Sequence, residues 1–590
     1  MAEAARLVHS ERIVRIRNRL QARLCARASP ATGFTTAPEP RLFGHFARGR
    51  QLMAGNFLFP GGLVEAKGDT IWAAADRAAD PRAMVLAQGF TWLDDLVAVG
   101  DGRARVLAQS WLADWIARYG RGTGPGWTPD LAGRRLIRWI THGLFLLRGQ
   151  DAAGSEAYFR SAGQQAIFLS RRWKAARPGL PRFEALTGMI YAGLALEGME
   201  RHVAPATAAL ARDCKTQVGP DGGIASRSPE DLTETLTLLT WAEGALRDTD
   251  TAVPETLRAA IARIAPTLRA LRHADGGLAR FHGGGRGLDG RLDEALAASG
   301  TSAQPDPERL HMGYGRLQAG RTTIVLDAAP PPAGGHAGTA HAATLAFELT
   351  SGRRPMIVNC GSGAFFGGDW ARAGRATPSH STLGIDGVSS SRLAPGTDGE
   401  DRLTDTPHQV LTHFEPLPDG LRLAASHDGY RRSHGMTHAR TLDLSQDGRG
   451  LAGEDLLTVL DPADEAAFDA AMTRANLQGI AFSIRFHLHP EVEARVDLGG
   501  SAVSLTLRSG EIWIFRQTGA QRMHLAPSVY LESGRIKPRA TQQVVLVGRA
   551  MSYATRIRWS LAKAQDTPLA IRDMPRDVAA EHDELTPGDT

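Results

Sequence analysis

Cysteine is scarce in this chain of 590 residues, and its spacing excludes two common uses of the residue. Cys25, Cys214 and Cys360 are odd in number and lie far apart along the chain. They form neither the framework of a disulfide-rich domain nor a closely spaced pair of metal ligands. We expect all three to be buried as small apolar side chains.

Long apolar runs are also absent. No stretch approaches the ~20 consecutive apolar residues that a transmembrane helix needs. The first residues show no apolar segment followed by a small-residue cleavage site, so we expect synthesis without a secretory signal. The formal net charge is +5 and the pI is about 9.3. This balance is compatible with an acidic ligand, and we expect no nucleic-acid partner.

Residues 11–27 predict a basic amphipathic helix. Its apolar positions fall on one helical stripe and its arginines surround that stripe: Ile13, Ile16, Leu20 and Leu24; Arg12, Arg15, Arg19 and Arg23. Such a stripe is typical of a helix that docks on its own domain. A basic amphipathic helix can also lie on an anionic membrane surface, and the sequence leaves both interpretations open.

The period of the apolar pattern divides the rest of the chain. Residues 70–290 carry apolar residues at helical spacing in seven or more segments, which predicts helical hairpins stacked as a solenoid or closed as a toroid. A Gly- and Pro-rich linker is predicted at 291–310. Residues 311–562 show many short strands ended by turn residues, which predicts an antiparallel sandwich. Residues 1–69 hold the basic helix and its lead-in, and 563–590 are predicted to be a disordered tail.

Three polar clusters interrupt the apolar pattern at helix ends in the helical half. Aromatic and arginine side chains in such loops suit sugar rings with acidic substituents, although each cluster can also be plain turn chemistry. The candidates from these loops are Trp127, Arg135, Arg227, Glu230, His273, Asp275 and His282.

In the strand-rich half, two histidines stand at the entrances of successive strands. His341 precedes one strand and His380 follows a loop that contains Arg375. Two such histidines could converge on one metal ion or one proton-transfer site. His487 and His489 alternate with apolar neighbours, and we expect them on the less buried face of their strand without a role.

The segment HAATLAFELTSGRRPMIVNCGSG, followed by RATPSHSTLGIDG, resembles the C-terminal signature of the heparinase II/III-like family. PDGGIASRSPE is similar to a loop of that family's helical domain. The likeness covers most of residues 40–560. It implies an N-terminal (α/α) helical toroid followed by a C-terminal antiparallel β-sandwich.

The resemblance also implies an activity. Lyases of the family cleave acidic polysaccharides by β-elimination, in which one group neutralises the uronate carboxylate while a base removes the C5 proton. The family's usual catalytic tetrad is not visible in this chain, and the candidate catalytic residues are His341 as base or acid, His273 as its complement and Arg227 to neutralise the carboxylate. The expected substrate-binding residues are Trp127, Arg135, Glu230, Asp275, His282 and Arg375.

The chain departs from the family pattern at several positions. Ala343 and Asn359 stand where the family offers carboxylates, and Thr339 replaces a second histidine. Some members hold zinc, but a neutral Asn359 beside His341 and His380 would hold it weakly, so we expect no cofactor and at most a vestigial metal site.

Three functions remain open at the sequence level. The first is a lyase acting on acidic, uronate-containing glycans with a rearranged site. The second is a non-catalytic protein of the cell envelope that binds acidic glycans. The third is a glycoside hydrolase using Glu230 and Asp275, which requires the two carboxyl groups to face each other across roughly 5–9.5 Å. The resemblance favours the envelope or periplasm, and the missing export signal leaves the cytoplasm as the alternative.

Overall fold

The computed structural model describes residues 2–28, 31–36, 41, 44–396 and 401–564. Helices dominate up to residue 298 and strands dominate from residue 314 onward. All but the first two residues of the predicted tail lie outside the described residues. In the described part of the chain, no helix is long and apolar enough to cross a membrane.

The α-helices of the first half are mostly short to medium in length. They are α1 (Ala2–Cys25), α2 (Phe46–Ala54), α3 (Ile71–Arg77), α4 (Arg82–Gln88), α5 (Thr91–Val99), α6 (Gly102–Tyr119), α7 (Pro129–Thr141), α8 (Gly143–Leu147), α9 (Ala152–Arg172), α10 (Leu180–Ala195), α11 (Val203–Gln217), α12 (Pro229–Asp248), α13 (Glu255–Leu271) and α14 (Arg291–Ala298). A two-stranded hairpin, β1 (Asn56–Phe59) and β2 (Gly62–Glu65), precedes α3.

Local sequence sets where several of these helices begin. The carboxylates of Asp101 and Asp151 and the hydroxyl of Ser228 each accept a backbone N–H from the first turn of the helix that follows. Such caps satisfy donors that a helix start leaves without partners. Pro129 stands in the first turn of α7, where its missing N–H costs nothing.

Successive helices of this half pack against one another as the toroid's hairpins. Helix α10 packs against α7, α11 and α12, and α12 packs in turn against α13. The interior is rich in large aromatic side chains, which bury much apolar area and therefore stabilise the helical domain. The buried tryptophans are Trp72, Trp92, Trp111, Trp115, Trp127, Trp139 and Trp241.

Helix α1 docks on this domain through the face opposite its apolar stripe. Asn18, Ala22 and Cys25 are buried against α9, and Arg172 Nε donates to Asn18 Oδ1 over 2.7 Å. The stripe itself points away from the domain. The helix therefore docks on its own domain, which was one of the two interpretations, but Asn18, Ala22 and Cys25 are buried there while Ile16, Leu20 and Leu24 stay exposed.

The second half forms two large antiparallel sheets. Its strands are β3 (Tyr314–Ala319), β4 (Thr322–Asp327), β5 (Phe347–Ser351), β6 (Arg354–Val358), β7 (Leu383–Ile385), β8 (Arg392–Pro395), β9 (Asp401–Thr404), β10 (Val410–Leu417), β11 (Gly420–Tyr430), β12 (Met436–Ser445), β13 (Gly450–Thr458), β14 (Ile480–Leu488), β15 (Glu493–Asp497), β16 (Ala502–Thr506), β17 (Ile512–Thr518), β18 (Arg522–Tyr530), β19 (Arg539–Ala550) and β20 (Ala554–Lys563).

One sheet has the order β10-β11-β12-β13-β20-β17-β16-β15, and the other has the order β18-β19-β14-β6-β5-β4-β3 with β7 beside β14. Strands β8 and β9 form a separate hairpin. Three helices that the alternating pattern did not predict interrupt the strands: α15 (Gly368–Arg375), α16 (Arg431–His434) and α17 (Pro462–Arg474). The toroid and the antiparallel sandwich nevertheless have the architecture that the sequence predicted.

The sheet that contains β3 to β6 is covered on both faces. Every residue of β4 is buried. Val325 packs into the helical core, whereas Ile324 and Leu326 pack into the core between the sheets. The expectation that His487 and His489 lie on a less buried face is wrong, since both are buried and His487 contacts Pro378, Cys360 and Ser528. Polar residues on this covered face therefore need hydrogen-bond partners inside the protein.

Candidate functional site

Three predicted site histidines meet where the toroid packs on the sandwich. His282 lies in the loop between α13 and α14, His341 in the loop before β5, and His380 just before β7. His341 Nδ1 is 3.0 Å from His380 Nε2. The rings of His282 and His341 have centroids 6.2 Å apart. All three side chains are buried, so the cluster lies inside the interface between the toroid and the sandwich.

Hydrogen bonds determine which ring nitrogen carries each proton. His380 Nδ1 lies 2.9 Å from the carbonyl oxygen of Ala376, which can only accept, so Nδ1 carries the proton. His380 Nε2 is then the acceptor for His341 Nδ1–H. His341 Nε2 accepts the backbone N–H of Gly283 over 3.0 Å. Both imidazoles are neutral in this arrangement, and both nitrogens of His341 are occupied.

His282 extends the chain of bonds to a buried carboxylate. Its Nδ1 accepts the backbone N–H of His341 over 3.2 Å, so its Nε2 carries a proton. That nitrogen faces Asp327 Oδ2 at 3.3 Å. Burial raises the pKa of Asp327, but Arg227 and His282 together hold the pKa below its usual value. Asp327 is therefore a charged acceptor at the centre of the junction.

Burial also changes the basicity of the histidines. Removal from water disfavours the charged imidazolium, and this lowers the pKa of His380 to about 4. The pKa of His341 is held well below its usual value by burial and then by the neighbouring His380 and His282. A general base works best with a pKa near the operating pH. These histidines are better suited to neutral hydrogen bonding than to abstracting a proton.

Arg227 is the residue predicted to bind a substrate carboxylate, and the structure gives it a different role. Its guanidinium lies 4.7 Å from the ring centre of Tyr314. All five of its N–H groups donate inside the protein, and the acceptors are the carboxylate of Asp327 and the carbonyl oxygens of Met312, Gly313, Ala329 and Pro330. With no donor left for a ligand, the predicted role in binding a uronate is not supported.

His273 is likewise fully bonded. Its Nδ1 pairs with Thr350 Oγ1 over 2.6 Å and its Nε2 with Glu348 Oε2 over 3.2 Å. Glu348 also accepts the backbone N–H of Arg280 and the side-chain N–H of Asn359. His273 thus links the last toroid loop to β5, and its predicted role as the proton-transfer complement of His341 is not supported.

Trp127 and Arg135 lie in the interior of the toroid rather than at a mouth. The Arg135 guanidinium stacks 4.2 Å from the ring centre of Trp115 and donates to Gln165 Oε1 over 2.6 Å. Burial lowers the pKa of Arg135 to about 9. Trp127 donates its indole N–H to a backbone carbonyl. Both side chains complete the helical core, so the prediction that they bind substrate is not supported.

Two further predicted residues hold loops in place. Arg375 is buried, and three of its N–H groups donate to the carbonyl oxygens of Ala337, Ala340 and Asp401. Glu230 accepts the backbone N–H of Gly285 over 2.7 Å, and burial raises its pKa. The structure does not support a substrate contact for Arg375.

Asp275 lies in an open cleft between the toroid and the sandwich. The cleft has a volume of about 290 Å³. Asp275 Oδ2 accepts from Arg286 Nη1 over 2.7 Å, so Asp275 and Glu230 have separate partners. The other charged residues that line the cleft are Arg272, Arg353, Arg354, Asp293 and Glu491. This surface is rich in arginine, which suits anionic groups.

The residues at the expected metal position do not fit a zinc ion. His341 and His380 bond to each other, and Asn359 both accepts from the Ser381 backbone and donates to Glu348. Among the described residues, no group of three or more His, Cys, Asp or Glu side chains is placed to hold a metal ion. Cys25, Cys214 and Cys360 are buried and free, as predicted.

Asp327 and Glu348 are the residues of this junction that the sequence analysis missed. Each stands in a strand whose residues are all buried, TTIVLD or FELTS. A carboxylate in a strand buried on both faces needs compensating donors, so it indicates a polar cluster even without a motif.

The chain resembles known proteins in sequence. Residues 302–560 match the family model described as heparinase II/III-like, C-terminal. The chain is 30% identical over 530 residues to a protein of Caulobacter vibrioides called FtsZ-localized protein C, with 88% of each chain covered.

Solved structures with the same fold share little sequence. Heparinase III superposes with a TM-score of 0.63 at 12% identity, covering 81% of this chain and 76% of the other. A mutant of the heparan sulfate lyase HepC from Pedobacter heparinus superposes with a TM-score of 0.57 at 15% identity, covering 93% and 88%. At these identities the likeness shows the fold.

Proposed function

The chain belongs to the heparinase II/III-like family of polysaccharide lyases, and we propose that it keeps the lyase fold without the elimination chemistry and acts at the FtsZ assembly. The observation that carries the first part is the closed junction. Both nitrogens of His341 and all five N–H groups of Arg227 are bonded to other groups of the protein.

The chemistry of β-elimination explains why this observation supports the proposal. Removal of the C5 proton requires a base that reaches it and a donor that stabilises the developing negative charge. His341 is 2% exposed, and lowering of its pKa makes it a poor base near neutral pH. Arg227 has no free donor. The contacts of these two candidate catalytic residues therefore support a structural role for them at the junction.

The second part rests on the Caulobacter relative. The two chains align over 88% of each, so the likeness includes the toroid and the sandwich together. A protein that localises with FtsZ needs a binding surface, and this requirement does not depend on a catalytic cleft. The proposed location is accordingly the FtsZ assembly rather than the periplasm.

One observation favours a second candidate, a lyase acting on acidic, uronate-containing glycans. The cleft between the domains has four arginines in its lining: Arg272, Arg286, Arg353 and Arg354. Arginine forms paired hydrogen bonds with carboxylates and sulfates, so an acidic glycan could bind here if it displaced the carboxylates that face Arg272, Arg286 and Arg354. Turnover at the cleft would require a base other than His341.

Activity assays separate these candidates. Purified protein is incubated with heparan sulfate, chondroitin sulfate and alginate, and unsaturated uronate is followed by its ultraviolet absorbance. We expect no product and no new reducing ends, with identical results for His341→Ala. Unsaturated product would establish the lyase, and new reducing ends alone would favour a hydrolase that uses Glu230 and Asp275.

Localisation is tested separately. The tagged chain and tagged FtsZ are imaged in the same cells, and we expect their signals to coincide and to disperse together when FtsZ is depleted. A diffuse signal in cells with intact FtsZ assemblies would contradict the proposed site of action. The result is independent of the activity assay.

A further inference from the structure

Carboxylates cluster near the beginnings of three neighbouring toroid helices. Helix α10 packs against both α7 and α12. The acidic residues are Asp130 on α7, Glu184 on α10, and Glu230, Asp231 and Glu234 on α12. We propose that these five residues, called the acidic mouth below, bind a primary ammonium group of a ligand.

A single arginine shows that the three helices bring these carboxylates together. Arg134 Nη2 lies 2.6 Å from Glu184 Oε1. Burial lowers the pKa of Arg134, but the nearby charges of Glu184, Asp130 and Glu234 outweigh burial and raise it above its usual value. One acidic residue from each of the three helices therefore acts on the same guanidinium, so their side chains converge on one place.

Glu184 brings an oxygen without a partner to this place. Its side chain is buried, with 7% of the residue exposed, and its Oε1 accepts from Arg134 Nε over 2.8 Å. Its Oε2 is also buried and has no hydrogen-bond partner within the part of the chain that the structure describes. A buried carboxylate oxygen without a donor costs free energy. An N–H group of a ligand would remove that cost.

Negative charge exceeds positive charge around the acidic mouth. Arg291 Nη1 lies 3.7 Å from Glu234 Oε2 and is the second arginine that faces these carboxylates. On the sandwich side His336 faces Asp231, and Arg177 lies beside His336. Burial lowers the pKa of His336, which favours its neutral form. The surface therefore repels an acidic glycan and attracts a cation.

The hydrogen bonds already made at the acidic mouth favour ammonium over guanidinium. A guanidinium pairs best with both oxygens of one carboxylate, and Arg134 already occupies one oxygen of Glu184. An ammonium group is compact, and its three donors can reach separate acceptors. No group of three or more His, Cys, Asp or Glu side chains in the described ranges is placed to hold a metal ion. The cation that fits best is therefore an organic amine.

Ligand-observed NMR titration of the full chain tests the proposal. The probes are n-butylammonium, which copies the end of a lysine side chain, and glucosamine. Their neutral counterparts are n-butanol and N-acetylglucosamine. For molecules of so few atoms we expect a Kd of about 1 mM for at least one amine and much weaker binding of its neutral counterpart. Tighter binding of n-butylammonium would identify a lysine side chain as the source of the ammonium group, and tighter binding of glucosamine would identify an amino sugar.

The affinity for n-butylammonium should rise with pH. Burial, opposed by Arg134 and assisted by Asp130, raises the pKa of Glu184 to about 7. Arg138 also acts on this carboxyl, but arginine and aspartate side chains ordinarily titrate well outside the range used here. A bound ammonium requires the ionised form of Glu184, so the affinity should increase about tenfold from pH 6 to pH 8. n-Butylammonium stays charged over this range.

Two variants remove charge from the acidic mouth. Glu184→Gln keeps an acceptor for Arg134, and Glu234→Gln changes a side chain that is 37% exposed. Each should weaken amine binding about tenfold or more, and Glu184→Gln should also abolish the pH dependence. The matched control is Glu243→Gln, which lies further along α12 and pairs with Arg258 instead. It should bind as the wild type does.

Several results would overturn the proposal. These are no detectable binding of either amine, equal binding of an amine and its neutral counterpart, or an equal loss of affinity in Glu243→Gln. An affinity for n-butylammonium that is the same at pH 6 and pH 8 would also contradict it. If Glu184→Gln lowers the thermal midpoint, the more exposed Glu234→Gln still decides the question. None of these results depends on the lyase assay or on localisation with FtsZ.

Discussion

The side chain of His341 connects the sandwich to the toroid through its two nitrogens. Nδ1 donates to His380 Nε2, and Nε2 accepts the backbone N–H of Gly283, each over 3.0 Å. The same imidazole that family resemblance assigns to proton transfer is thus a buried link between domains. Its contribution to stability can be measured independently of any activity.

Replacing His341 with alanine should destabilise the protein by about 2–4 kcal/mol. The change leaves the Gly283 N–H and His380 Nε2 without partners inside the protein, and each lost partner costs ~1–3 kcal/mol. Urea unfolding measures the difference. His413→Ala, at an exposed histidine on β10, should change stability by less than about 0.5 kcal/mol. Equal stability of His341→Ala and the wild type would contradict the structural role.

Stability should fall as the pH is lowered from about 6.5 towards 4. The pKa values of His380 and His487 are lowered to about 4 in the folded protein, whereas an unfolded histidine has a pKa near 6.5. Below pH 6.5 the unfolded chain therefore binds more protons than the folded protein does. The free energy of unfolding decreases as the pH falls from 6.5 to 4. Above 6.5 both states are neutral at these sites and the effect vanishes.

The thermal midpoint is measured between pH 7.5 and 4, and its fall with pH should correspond to the uptake of about one proton per affected histidine on unfolding. His380→Asn should make the fall less steep because one of these groups is gone. His413→Asn is the control and should leave the slope unchanged. A flat profile over this range would show that these histidines take up protons in the folded state.

Breaking the Arg227–Asp327 ion pair should lower the free energy of unfolding far more than breaking an ion pair at the surface. Asp327 is wholly buried, so Arg227→Met leaves a buried charge with only His282 facing it and should cost about 3–5 kcal/mol. Arg227→Met/Asp327→Leu should recover part of that loss. The control is Arg422→Met, because Arg422 forms an ion pair with Asp443 that is partly exposed to solvent. This substitution should cost about 1 kcal/mol or less. Equal losses at both arginines would contradict this account.

Protein purified without added metal should contain much less than one zinc per chain. The ligand atoms of His341 and His380 bond to each other, and Asn359 is neutral and bonded on both sides of its amide. Zinc sites favour charged or freely available ligands. Elemental analysis is the measurement. Stoichiometric zinc that is lost in His380→Ala would overturn the prediction.

The sequence predicted the architecture because both domains repeat a simple pattern. Apolar residues recur at helical spacing up to Leu271 and alternate from Thr322 onward, so the change from helices to strands is visible without tertiary contacts. Helices α15 and α17 were missed because they are short insertions between strands. The family signature around His341 also pointed to the junction where that residue lies.

The roles of the site residues were not predictable in the same way. Arg227 and His273 stand in polar, Gly-rich loops, and such loops look alike whether they face a substrate or another domain. Which one they face depends on how closely the toroid packs against the sheet of β3 to β6. At that junction the donors of Arg227 are all occupied, and His273 bonds to Thr350 and Glu348.

The sequence by itself thus determined the fold class, the three buried cysteines and the amphipathic character of α1, because each follows from local composition and periodicity. Only the tertiary structure decided which side of α1 is covered and whether His341 is open to a ligand. The physical reason is that a side chain's exposure depends on the surface packed against it. Within the described part of the chain Ile16 and Leu20 are exposed, whereas the loop of His282 and Gly283 packs against His341.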